Sequence, residues 1–181
     1  AVLQSRHELD GIEANVTTGY HAIEFLLWGQ DPNGTGPGAG ARSYTDYVQG
    51  AGCTGGNCDR RAAYLAAASA LLNADLEEMV AAWAPEGEAR AAVLADPEAG
   101  LRAMLTGMGS LSYGELAGER MRLGLLLNDP EDEQDCFSDN THMSHYLNAQ
   151  GIRNVWTGRY VRVDGSVVEG PSLAALVPDA A

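Results

Sequence analysis

A histidine and a glutamate three residues apart, His21 and Glu24, interrupt an otherwise apolar stretch, Gly19-Tyr20-His21-Ala22-Ile23-Glu24-Phe25-Leu26-Leu27-Trp28-Gly29. Positions i and i+3 share one face of an α-helix, so the imidazole and the carboxylate are expected to point at one small target while Ile23, Leu26 and Leu27 pack. A nitrogen and an oxygen donor offered together suit a metal ion. The same spacing also describes an ordinary exposed helical pair. The apolar surroundings favour the first reading, because a buried ionised glutamate needs a partner. Gly19 weakens a helix by about 1 kcal/mol, and is expected to admit the close approach of another backbone or a ligand.

Two further sets carry donor-type side chains. Glu115 and Glu119 lie four apart, in a stretch loosened by Gly114 and Gly118; Asp139, His142 and His145 recur every three residues. Helical bundles build carboxylate–histidine metal sites from such facing pairs. Each set has a plainer role open to it. Glu115 fits a Ser112-x-x-Glu115 capping box, Glu119 can pair with an arginine across helices, and Arg120 can hold or neutralise a carboxylate. Asp139 can cap a helix, His142 and His145 can be polar surface positions, and His7 reads as a surface residue. The metal candidates are therefore His21 and Glu24 first, then Glu115, Glu119 and His142. No His-Glu-x-x-His zinc-protease helix and no Gly-x-Ser-x-Gly elbow occurs. His21 and Glu24 supply at most two ligands, whereas a zinc hydrolase needs about three and a general base.

Three blocks in fixed order resemble the imelysin-like family, bacterial cell-envelope proteins named after an insulin-cleaving metallopeptidase and an iron-regulated protein. They are Gly19-x-His21-x-x-Glu24 with Phe25 to Asp31, Gly109 to Met121, and Asp135-Cys136-Phe137-Ser138-Asp139-Asn140-Thr141-His142. The resemblance covers nearly the whole chain. Family members are longer, so the chain looks like their central and C-terminal portion with N-terminal helices missing. The resemblance implies two helical-bundle lobes with the shared motif facing the cleft between them. Residues 1–107 would carry the motif helices, and 108–181 the second-lobe helices and a hairpin. It implies a metal ion, iron first and zinc second, and a role in iron uptake in the periplasm or outer envelope alongside other iron-uptake proteins. The alternatives are a metallopeptidase and a non-catalytic interaction module.

Composition bounds these readings. Hydrophobic residues at 45% and charged residues at 20% describe a globular chain able to form one sizeable core, or one domain and part of another. A net charge of −14 argues against nucleic acid, whose phosphates favour basic surfaces. No apolar run approaches the roughly 20 residues needed to cross a bilayer. Membrane association or an export signal would lie in a missing upstream segment. Cys53 and Cys58 flank Thr-Gly-Gly-Asn in a loop that can bring them within bridging distance. A disulfide there would agree with an oxidising compartment; the rival reading is a thiolate metal site. Cys136 is expected to join neither.

The expected fold is all-α, a bundle of antiparallel helices with one small hairpin. Apolar spacing predicts one helix from Ser5 to Trp28, and Pro and Gly then impose a loop to Gly40. A short turn follows at Ser43–Tyr47. Asp59 is expected to cap a helix from Arg60 to Trp83, filled by Leu76, Met79 and Val80 among others. Further helices are read at Glu88–Leu94, at Pro97–Gly107 behind an Asp96 cap, and from Ser112 to Leu127. An acidic turn leads to a short helix from Ser138 or Asp139 to Ala149. Tyr160–Val163 and Ser166–Val168 read as a hairpin around Asp164-Gly165, and Ser172 opens a last short helix.

Overall fold

The computed structural model describes residues 16–177, which are mostly helical with one two-stranded antiparallel sheet near the C-terminus. This is the class the sequence implies. Among the described residues no helix is long and apolar enough to cross a membrane. The chain divides into two compact units: residues up to 92 with Asp135–Asp139, and Val93–Gln134 with the residues from 140 on.

The first unit begins with α1 (Gly19–Trp28). Thr18 is extended, so the helix does not run through residues 16–18; the part of the expected long helix at residues 5–15, His7 included, lies outside the described residues. Gly19 has φ +84°, and among the described residues nothing lies within 4 Å of where its Cβ would stand. The glycine serves a left-handed backbone turn into the helix. Gly29, at φ +78°, ends α1 with its N–H on the Phe25 carbonyl. After the glycine-rich loop, a 3₁₀ turn (Tyr44–Tyr47) is capped by Ser43. The Tyr47 hydroxyl donates to the Leu26 carbonyl, and Arg61 donates to the Asp46 carbonyl at 2.8 Å. The turn therefore ties the end of α1 to the start of α2 (Cys58–Trp83).

Helix α2 starts two residues before Arg60. Asn57, in the left-handed region, occupies the cap position, and Asp59 falls in the first turn, where its charge complements the helix dipole. The Tyr64 hydroxyl donates to the Thr17 carbonyl, fastening α2 to the approach to α1. Cys58 and Ala68 are buried, but Leu76, Met79, Val80 and Trp83 are exposed. The apolar packing expected along all of α2 is thus confined to its first half. Among the described residues the buried apolar side chains are Leu26, Cys58 and Ala68 here, and Leu116 in the second unit.

Cys53 and Cys58 form the expected disulfide, Cα–Cα 5.9 Å, and Cys136 is outside it. The closed loop is short, so reduction is expected to cost about 2 kcal/mol and to loosen the connection into α2 without melting the helices. Circular dichroism melts with and without reductant, beside mass spectrometry of unreduced digests, check this. An unchanged melting temperature in verified reduced protein would contradict it.

Helix α3 (Glu88–Ala95) leads to the second unit. There α4 (Pro97–Gly109) starts on Asp96, whose side chain accepts from the Ala99 N–H, and Pro97 is at the first helical position. No break follows. The chain continues as a π-helix (Ser110–Leu123) and a final α-turn, α5 (Gly124–Leu127). Ser112 is therefore no cap; its hydroxyl donates within the helix to the Gly109 carbonyl at 3.3 Å. Helix α6 (Thr141–Thr157) begins later than expected and runs through Gly151 to a left-handed Gly158. Strands β1 (Arg159–Val161) and β2 (Val167–Glu169) pair with Tyr160 opposite Val168, joined by a turn with Gly165 at φ +81°. A 3₁₀ turn (Leu173–Leu176) capped by Ser172 closes the described chain.

Candidate metal centre

The segment Asp135–Asp139 belongs to the first unit although it lies far along the sequence. Two backbone N–H groups of the glycine-rich loop place it. Gly40 N–H donates to the Phe137 carbonyl at 2.8 Å, and Gly38 N–H donates to Asp139 Oδ2 at 2.7 Å. Asp139 thus clips the glycine-rich loop to this segment; it is not a helix cap, and its φ of +53° sets the chain's exit toward α6. The Phe25 and Phe137 rings meet edge to face with centroids 4.9 Å apart, a geometry favoured by the aromatic quadrupole.

This docking completes a cluster on α1. His21 Nδ1 lies 3.0 Å from Glu24 Oε2 and 3.8 Å from Asp135 Oδ1. One donor atom from each of the three lies within 4.8 Å of the others. Metal–ligand bonds of about 2.0–2.2 Å give edges of about 3.0–3.5 Å between neighbouring ligands. The His21–Glu24 edge already has that length, and the His21–Asp135 edge needs only a small closure. Imidazole nitrogen and carboxylate oxygens are a donor set for zinc, iron or manganese and not for copper(I). The residues present therefore fit a divalent metal ion.

Glu24 is 9% exposed, and its carboxylate is divided between two tasks. Oε1 accepts from the Ser138 N–H at 2.9 Å and the Ser138 hydroxyl at 2.6 Å. Oε2 is turned to His21. Held this way, Glu24 presents a single oxygen to an ion, and Ser138 fixes its orientation as supporting partners of metal ligands do. His21 is half exposed, so the cluster opens to solvent on the imidazole side. Ser138→Ala removes the hydroxyl and keeps the N–H. It is expected to lower metal affinity about tenfold or more, with Ser138→Thr restoring most of it. Equal affinities for all three proteins would remove Ser138 from the site.

Beside His21 lies a pocket of about 840 Å³ in the first unit, walled by Phe25, Leu26, Tyr64 and Phe137. Arg60, Arg61 and Asn57 also line it. Burial pushes the Tyr64 phenol above its ordinary range.

The other candidate ligands fall in the second unit and outside this cluster. Glu115 Oε2 accepts from Arg120 Nη2 at 2.9 Å, five residues on. Five-residue spacing is what a π-helix brings together, so the four-residue pairing of Glu115 with Glu119 read from α-helical geometry does not apply. Glu119 and His142 are exposed. Asp135 and Ser138 were not among the residues singled out by spacing. Their signal is the third sequence block, in which Asp139 and His142 have helical spacing whereas Asp135 reaches its partners through tertiary docking.

A helix and a docked turn segment that bring one imidazole and two carboxylates to a common point define an α-helical protein with a metal-type donor cluster. The imelysin model, of the M75 peptidase class, matches residues 3–181, and the chain belongs to the imelysin family. A search of curated proteins finds no match.

Proposed function

We propose that this chain is a metal-binding protein of the bacterial cell envelope, with iron as its first ion, serving iron acquisition. The observation that carries the reading is the convergence of His21, Glu24 and Asp135, with Glu24 held by Ser138. Glu115, Glu119 and His142 rank behind them, Glu115 because Arg120 already engages it. The Cys53–Cys58 disulfide supports an oxidising compartment, and family membership supports the envelope. The test is titration of metal-free protein with iron(II) under anaerobic conditions, and with zinc(II), followed by melting temperature. An ion at a hundred times its Kd stabilises the folded chain by about 2.7 kcal/mol. If no metal shifts the transition, the reading fails and a non-catalytic interaction module takes its place.

A second reading, metallopeptidase, gains one observation. Asp135 raises the cluster from two ligands to three, the number zinc hydrolases use. With Glu24 and Asp135 both ligating, however, the cluster keeps no carboxylate to serve as general base. Incubation of metal-loaded protein with an unfolded polypeptide, beside a chelated sample and Glu24→Gln, separates the two readings.

A further inference from the structure

The pocket beside α1 has a chemistry that the metal cluster does not explain. Its walls are aromatic and aliphatic: Phe25, Leu26, Tyr64 and Phe137. Its charged side chains are of one sign. Arg60 and Arg61 both line it, and no aspartate or glutamate is among its described lining residues. The chain has 25 acidic residues against 11 basic ones, so two adjacent arginines facing a pocket without a carboxylate run against the composition. Three other arginines have ion-pair partners: Arg42 with Asp46, Arg102 with Glu98, Arg120 with Glu115. Arg61 is spent on backbone carbonyls, those of Asp46 and Gly55. Arg60 has no ion-pair partner among the described residues. A volume of about 840 Å³ lies within the usual range for small-molecule sites, which are mostly apolar with a few placed polar groups.

We infer that this pocket binds an apolar carboxylate, its acid group paired with Arg60 and its body between Phe25, Tyr64 and Phe137. The guanidinium fork matches a carboxylate, and the rings supply a surface for an aromatic or branched body. Two sources share this chemistry: a free aromatic acid, and the last residue of a peptide with its terminal carboxylate. The inference stands apart from the metal reading, because none of these contacts needs an ion.

Calorimetry on the full chain in excess chelator tests it, with 3-phenylpropionate for the free acid and the tripeptide Ala-Ala-Phe for the peptide end. The amide of each probe is the control. At least one acid is expected to bind, with its amide about tenfold weaker or worse, the cost of losing a charge-assisted pair. Arg60→Gln, at an exposed position in the first turn of α2, is expected to remove that difference. Ala63→Phe, which fills the pocket from an exposed lining position, is expected to abolish binding of acid and amide alike. Binding of the tripeptide alone assigns the peptide source, and binding of 3-phenylpropionate assigns the free acid. No binding by either acid, amides as tight as acids, or an unchanged Arg60→Gln overturns the inference. Because chelator is present throughout, these outcomes are distinct from failure of the metal titration.

Discussion

Asp135→Asn is expected to weaken iron(II) and zinc(II) binding about a hundredfold, a loss of about 2.7 kcal/mol. The substitution keeps the shape of the side chain and removes its negative charge. An amide oxygen is a poorer partner for a divalent ion than a carboxylate, and the second charge that faces His21 across 3.8 Å disappears. His21→Ala, which deletes the nitrogen donor, is expected to lose at least as much. Glu119→Gln, at an exposed position in the second unit, is expected to change nothing. Competition titrations against a chromophoric chelator read all three on one scale. If Asp135→Asn binds as tightly as the parent while His21→Ala does not, the ion sits on His21 and Glu24 alone, as the sequence pair first indicated. If all three variants match the parent, the cluster is a hydrogen-bonded structural group.

The contrast between Glu24 and Asp135 shows where sequence reasoning reaches and where it stops. Glu24 was legible because its partner lies on the same turn of the same helix. Asp135 reaches His21 from 114 positions along the chain because hydrogen bonds from the Gly38 and Gly40 N–H groups, with the contacts of Phe137 and Ser138 to α1, hold its segment in the first unit. No local period encodes such a placement. The helices, the Asp96 cap, the disulfide and the hairpin were likewise legible, since each depends on neighbours in sequence. The π-helix was not. An apparent break at Gly107–Ser112 reads as the end of one helix and the capped start of another, yet the backbone crosses it, and the register changes from four residues to five. The exposed apolar positions from Leu76 to Trp83 have helical spacing, but spacing alone does not say whether a neighbour exists.

Gly40→Ala is expected to harm the fold and the site together. A Cβ at residue 40 would stand 2.4 Å from the Trp28 carbonyl oxygen and 2.9 Å from that of Gly29. Both are backbone atoms at the end of α1, fixed by the bonds Gly29 N–H to Phe25 O and Arg42 N–H to Trp28 O, so neither can swing aside as a side chain would. Residue 40 must move instead, and its N–H is what holds the Phe137 carbonyl. Overpacking of this kind costs about 1–3 kcal/mol, and more when backbone must shift. The displaced segment carries Asp135 and Ser138, so metal affinity is expected to fall by about tenfold or more as the supports of Glu24 and His21 are lost. Gly151→Ala is the matched control. Gly151 is inside α6 with nothing among the described residues within 4 Å of the added carbon, and alanine there is expected to stabilise by about 0.5–1 kcal/mol. Urea unfolding and metal titration of both variants give the answer. Gly40→Ala with parental stability and affinity would mean that the 135–139 segment is held on α1 by other contacts, and that the Gly40–Phe137 bond does not position the site.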